Sequence, residues 1–220
     1  VRYVHQGFVV ATIEHRNAVG GHPFPAFLQD VKSAIRYLRA HAAEYAIDPS
    51  RVALWGTSSG GNAALLAGLT GDDPAYQTAD HANQSDAVQA VIACFAPTDV
   101  AATFEAAGNA VPGTDLLKFS LFGRNPAQWP AVMKEMSPLY RVEDGQDYPP
   151  FLLMHGDADQ IVPYEQMEQM AHRLEEAGAA VTAVRVTGAD HESDFWSPAI
   201  YDQAAEFLAA LNPQADERKD

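Results

Sequence analysis

Residues 52–61 read Val-Ala-Leu-Trp-Gly-Thr-Ser-Ser-Gly-Gly, and no other stretch of the 220-residue chain narrows the choice of fold as much. A short apolar run ends at Trp55, and a run of small residues, Asn62 to Leu69, follows the glycines. Strand, sharp Gly-x-Ser-x-Gly turn, helix is the arrangement that lifts a serine hydroxyl above the carboxyl end of a sheet. Glycines are required there because neighbouring backbone crowds the turn. The helix behind the turn adds free N–H groups and the positive end of its dipole. The competing reading is a glycine-rich turn without chemistry, and the flanking strand and helix argue against it.

The rest of the chain repeats the same alternation. Gly7 to Ile13 is a β-branched run that predicts a buried strand, followed by a Gly/Pro loop over Asn17 to Pro25. Phe27, Leu28, Val31, Ala34, Ile35, Leu38, Ala42 and Tyr45 recur at three and four, which predicts one long amphipathic helix ending before Asp48-Pro49. Further strands are expected at Val52–Trp55, Val88–Phe95, Phe151–Met154 and Val181–Val186, and helices at Tyr164–Ala177 and Ile200–Leu211. Between residues 98 and 145 the pattern changes to short helical pieces interrupted by glycine and proline. They carry Phe104, Phe119, Phe122 and Trp129, which either line an acyl pocket or pack this segment on the sheet. We read an inserted helical cap within a single domain, 1–211, followed by a polar tail, 212–220. Alternating strands and helices predict an α/β fold, a mostly parallel sheet with helices on both faces. Ligands on such sheets bind beyond the carboxyl ends of the strands, so the loops that follow the strands carry the site.

A serine nucleophile needs a base, and the base needs an acid to orient it, in the chain order serine, acid, histidine. Among the eight histidines, His191 lies in the loop after the strand Val181–Val186. His172 shares a helix face with Glu165, Glu168 and Glu176 and reads as a surface residue, whereas His155 ends a strand and reads as structural. The acid is expected after Phe151–Met154, where Asp157 and Asp159 both qualify. Asp159 is the better choice because it stands farther out along the loop, past the tight turn at Gly156. Ser58, Asp159 and His191 are thus the candidate catalytic residues, and the N–H of Ser59 is a candidate oxyanion donor.

Composition removes other classes. The formal net charge of −15 argues against nucleic acid and anionic membranes as partners. No apolar run approaches the roughly 20 residues of a membrane span, and no signal peptide is visible in this chain. The single cysteine, Cys94, sits in an expected strand and reads as a buried thiol; it rules out an intrachain disulfide and a cysteine-based zinc site. Asp190, Glu192 and Asp194 around His191 read as a solvated loop, and neither metal nor cofactor is implied.

The segments 22–61, Phe95–Val100 (FAPTDV), Pro149–Gln166 (PPFLLMHGDADQIVPYEQ) and Val186–His191 (VTGADH) together resemble the serine carboxylesterases of the α/β-hydrolase fold, in particular the bacterial feruloyl- and acetylxylan-esterase-like branch. HGDADQIVP matches that family's H-G-x-x-D-x-x-V-P. The resemblance implies Ser58 as nucleophile, Asp159 as acid and His191 as base, acting on a small-molecule ester, and the short cap broken by glycine and proline is expected to favour a short-chain or small aryl acyl group. The alternatives are an amide-cleaving hydrolase of the same fold and a non-catalytic module built on it. Two departures stand out. The family's Asp-Tyr-Arg is here Glu14-His15-Arg16, and its His-Gly-Gly oxyanion segment, which lies well upstream of that arginine, has no counterpart. The chain is therefore expected to lack the first strands of the fold. Gly7–Ile13 should then either pair directly with Val52–Trp55 or leave a gap beside it. With Ser59 as the one oxyanion donor, these 220 residues are expected to form a weak esterase or an inactive one.

Overall fold

The computed structural model describes residues 2–107 and 113–210. The expected tail at 212–220, and the cap glycine at 108, lie outside them. Four parallel strands, β1 (Ala53–Thr57), β2 (Ala90–Cys94), β3 (Phe151–Gly156) and β4 (Val181–Val186), pair in chain order. Their register runs Thr57–Cys94 across the first pair, Cys94–Met154 across the second and Met154–Val184 across the third.

β2 and β3 are buried along their whole length, and their side chains divide between two cores with the period of two that a pleated strand imposes. Val91, Ala93, Phe151 and Leu153 face one core, shared with helices α1 (Ala26–Ala40), α3 (Ser59–Leu69) and α7 (Glu165–Glu176). Ile92, Cys94, Leu152 and Met154 face the other, closed by Phe195 and by Ile200, Ala204 and Leu208 of α8 (Pro198–Ala209). The sheet is thus covered on both faces, as the alternation predicts, and this is the α/β-hydrolase architecture.

Two elements differ from expectation. Gly7–Ile13 is not a strand: residues 8–16 carry no regular secondary structure, and Val9, Val10 and Ile13 are 55%, 54% and 41% exposed. β-branched residues favour extended backbone, but a strand exists only through a ladder to a neighbour, and none lies beside this segment among the described residues. Gly7–Ile13 therefore does not pair with Val52–Trp55, and β1 is at the edge of the described sheet. The segment is instead fixed at its ends. Phe8 packs near Tyr3, and the backbone N–H and guanidinium of Arg16 donate to the Asp30 carboxylate of α1 at 2.7–3.0 Å. The long helix also breaks at His41, and α2 is a separate turn, Ala42–Tyr45.

The inward stripe of α1 carries two charges. Lys32 and Arg36 are buried on the same face as Leu28, Val31 and Ile35. Both donate to Asp86, Lys32 Nζ at 2.5 Å and Arg36 at 2.7 Å. Arg36 also donates to the Asp80 carbonyl and the Thr78 hydroxyl, and Lys32 to the Thr70 carbonyl. This cluster ties α1 to the 70–86 connection.

Between β2 and β3 lie α4 (Val100–Ala107), α5 (Thr114–Phe122) and α6 (Trp129–Glu135). Phe122 is buried against Phe104 and Trp129, and all three belong to the core that α1 and α7 share, so these aromatics pack the inserted segment onto the sheet; Phe119 is exposed. Gln166 of α7 holds the start of this segment, accepting from the N–H groups of Thr98 and Asp99. The buried Asn62 amide of α3 donates to the Pro97 and Met136 carbonyls.

Candidate active site

Ser58 stands between β1 and α3 with φ 50° and ψ −123°, a conformation that L-residues avoid unless the surroundings over-determine it. What fixes it is crowding. A Cβ on Gly56 would lie 1.9 Å from the Gly60 carbonyl oxygen, so strand and helix close to this distance only around a glycine. The Ser58 N–H donates to the Cys94 carbonyl at 2.9 Å, which extends the β1–β2 ladder into the turn and leaves the hydroxyl free to point away from it. Ser59 begins the helix on an exposed surface, where the first N–H groups have no intrahelical acceptor.

The loops after β3 and β4 bring the other two residues to this hydroxyl. His191 Nε2 lies 2.9 Å from Ser58 Oγ, and Nδ1 lies 2.8 Å from Asp159 Oδ2. The His191 side chain is 9% exposed and that of Asp159 is fully buried. Phe95, which follows β2 with a φ of 38°, sets its ring edge-to-face with the imidazole at a centroid distance of 4.7 Å and also meets Phe195. A positive φ in a bulky residue is backbone strain. Here it coincides with a ring that walls the histidine.

Asp157, the other acid considered, points elsewhere. It accepts from Arg185 Nε at 2.6 Å and from the Gly188 N–H at 2.6 Å, so it clasps the acid loop to the histidine loop. Three more contacts make these loops one unit. Ala158 N–H donates to the Ala189 carbonyl, and Gln160 N–H donates to Asp190 Oδ1. A Cβ on Gly156 would lie 2.2 Å from the Ala189 carbonyl oxygen. Asp190 and Asp194 accept backbone N–H groups within the histidine loop. Among the described residues no group of three or more His, Cys, Asp or Glu is arranged to hold a metal ion.

Burial raises the Asp159 carboxyl pKa, but hydrogen bonds from His155, His191 and the Val162 and Ile161 N–H groups outweigh it and hold the group at about 2. A carboxyl that titrates near 3.8 in the unfolded chain and about 2 in the fold stabilises the folded state at higher pH and loses that contribution as the pH falls from about 4 to 2. The contribution is about 2 kcal/mol. Denaturant midpoints at pH 5 and pH 2.5 should therefore fall more steeply for the wild type than for Asp159→Asn; equal slopes would remove this carboxylate from the acid-stability balance. Cys94 is fully buried and its thiol is pushed up to about 12 by that burial, so it is inert at neutral pH.

Sequence reasoning missed the bond from His155 to Asp159 and the ring of Phe95 on His191. His155 stands four residues before the acid, inside the H-G-x-x-D motif, and that spacing was the available signal. Nothing local marks Phe95.

A family model described as BD-FAE matches residues 1–174. Esterase LipC of Mycobacterium tuberculosis is 31% identical over 194 residues, covering 88% of this chain and 47% of that protein. The chain thus spans about half the length of the curated relatives it matches. A solved structure described as a truncated carbohydrate esterase from gut microbiota superposes with a TM-score of 0.79 at 30% identity, covering 91% of this chain and 73% of that one. The butyrate-bound esterase Est2 of Thermogutta terrifontis superposes with a TM-score of 0.67 at 27% identity, covering 87% of this chain and 68% of that one.

Proposed function

The chain belongs to the BD-FAE family, and from that membership we propose that it is a serine hydrolase of carboxylic esters. The observation that carries the reading is the unbroken hydrogen-bonded line from Ser58 Oγ through both nitrogens of His191 to Asp159, built on a strained elbow. Ser58 Oγ attacks the ester carbonyl carbon while His191 Nε2 takes the hydroxyl proton. The Asp159 carboxylate fixes the proton on Nδ1 and stabilises the imidazolium as it forms. The tetrahedral oxyanion faces the N–H of Ser59 at the start of α3. His191 then returns the proton to the leaving alcohol, which departs and leaves an acyl-Ser58. Water, deprotonated by the same imidazole, releases the acid and regenerates the hydroxyl. No step calls for a metal or cofactor.

The inserted segment is short, and Phe104, Phe122 and Trp129 are committed to core packing, which supports compact acyl groups over long chains. The similarity to a carbohydrate esterase supports a sugar hydroxyl as the leaving group, and the similarity to a butyrate-bound esterase supports a small acyl group. The net charge of −15 disfavours anionic substrates. The test is a panel of nitrophenyl acetate, butyrate and palmitate with aminoacyl nitroanilides. Acetate or butyrate should turn over fastest. Faster palmitate turnover would overturn the acyl-size reading, and faster anilide turnover the ester reading.

A further inference from the structure

We propose that His155 is a positioning residue for Asp159, donating its Nε2–H to the oxygen that His191 also uses. The inference rests on the serine-hydrolase reading and adds a fourth residue to it.

The geometry leaves one arrangement of protons. His155 Nε2 lies 3.0 Å from Asp159 Oδ2 and 3.0 Å from the Val162 carbonyl oxygen. Both are acceptors, so Nε2 must carry a proton, which the two share. The ring is fully buried, and Nδ1 has no hydrogen-bond partner. A proton on Nδ1 would be an unsatisfied buried donor on a buried cation, the more expensive of the two states. The geometry therefore puts the proton on Nε2 and leaves Nδ1 bare.

That donor completes the coordination of the carboxylate. Oδ1 accepts from the N–H groups of Ile161 and Val162 at 2.8 and 2.9 Å. Oδ2 accepts from His191 at 2.8 Å and from His155 at 3.0 Å. Each oxygen has two donors, so the carboxylate plane cannot turn without breaking a buried bond. Without His155, Oδ2 would rely on His191 alone, the group that must change charge during turnover. The second histidine keeps the oxygen in place while the imidazolium forms and discharges. Its other contact, to Val162, closes the loop that carries the acid.

A double-mutant cycle separates this role from simple packing. His155→Leu should lower kcat on a short-chain nitrophenyl ester roughly 10- to 100-fold with KM changed little, because misplacing a catalytic group acts on the chemical step. His155→Gln, whose side-chain amide offers a neutral N–H in place of Nε2–H, should recover most of the loss. In an Asp159→Asn background, where no carboxylate remains to be held, His155→Leu should cost less than about threefold. A loss as large as in the wild type would show that His155 acts through packing, and would overturn the proposal. If His155→Leu fails to fold, the ring nitrogens still decide. In the wild-type chain labelled with nitrogen-15 histidine, the spectrum of His155 at neutral pH should show a protonated Nε2 and a bare Nδ1. Two protonated nitrogens, or a proton on Nδ1, would overturn it independently of activity. Full turnover by Ser58→Ala would instead sink the hydrolase reading while leaving the tautomer assignment standing.

Discussion

Ser58→Ala is expected to lower turnover of a short-chain ester by about four to six orders of magnitude and to abolish labelling by a fluorophosphonate. The hydroxyl is the only group on the elbow that His191 Nε2 reaches, at 2.9 Å. Its removal takes away the covalent intermediate and leaves only binding and the Ser59 N–H to assist water. Asp159→Asn belongs to the same prediction, with a loss of about 10⁴-fold. The site surrounds this side chain with four N–H donors, two on each oxygen. An amide must present its own NH2 to one pair. Against the histidines, it would force His191 into the tautomer with its proton on Nε2, facing Ser58 and unable to accept a second. Asp157→Asn should cost far less, because Asp157 meets Arg185 and Gly188 and not the imidazole. An Asp157→Asn variant more impaired than Asp159→Asn would reverse the assignment of the acid.

The second large effect is on stability. Asp86→Ala should destabilise the fold by about 3–5 kcal/mol, since it leaves two buried cations without their counter-charge. Lys32 and Arg36 side chains are fully buried and that of Asp86 is 2% exposed, so water cannot replace the lost carboxylate. For a chain of this size the melting temperature should fall by about 10 °C or more. Lys32→Met should cost less, because it leaves Arg36 and Asp86 as a one-to-one pair and replaces the lysine stem with apolar volume. Thermal and urea unfolding of the two variants checks the order. A loss under about 1 kcal/mol for Asp86→Ala would mean that the cluster is not closed to solvent.

These two clusters mark what local sequence can and cannot convey. The elbow is legible because its requirement is local: Gly56 must lack a Cβ two residues from the serine, and a strand and a helix must flank it. β2 and β3 are legible because strands buried on both faces are apolar throughout. The run at Gly7–Ile13 has the same composition, but a strand is a relation between two segments, and half of that relation is not written in the run. Lys32 and Arg36 break the apolar stripe of α1 in plain view, yet the carboxylate that makes them tolerable stands 54 and 50 residues away. His155 reads as structural from its place at the end of a strand, and only the geometry attaches it to Asp159. Asp157 and Asp159 are separated by the direction of their side chains, which the loop sets through Gly188 on one side and the Ile161 and Val162 N–H groups on the other.

The line from Ser58 to His191 joins residues 133 positions apart, and His191 stands in the loop after β4, the strand paired with β3. Ser58, the proposed nucleophile, is therefore synthesised well before His191, its proposed base. A nascent chain shorter than that span holds a serine with nothing to activate it. Acquisition of fluorophosphonate reactivity during translation or refolding is therefore expected to report the docking of the loop after β4 rather than collapse of the core, which makes a covalent probe of Ser58 a clock for that docking.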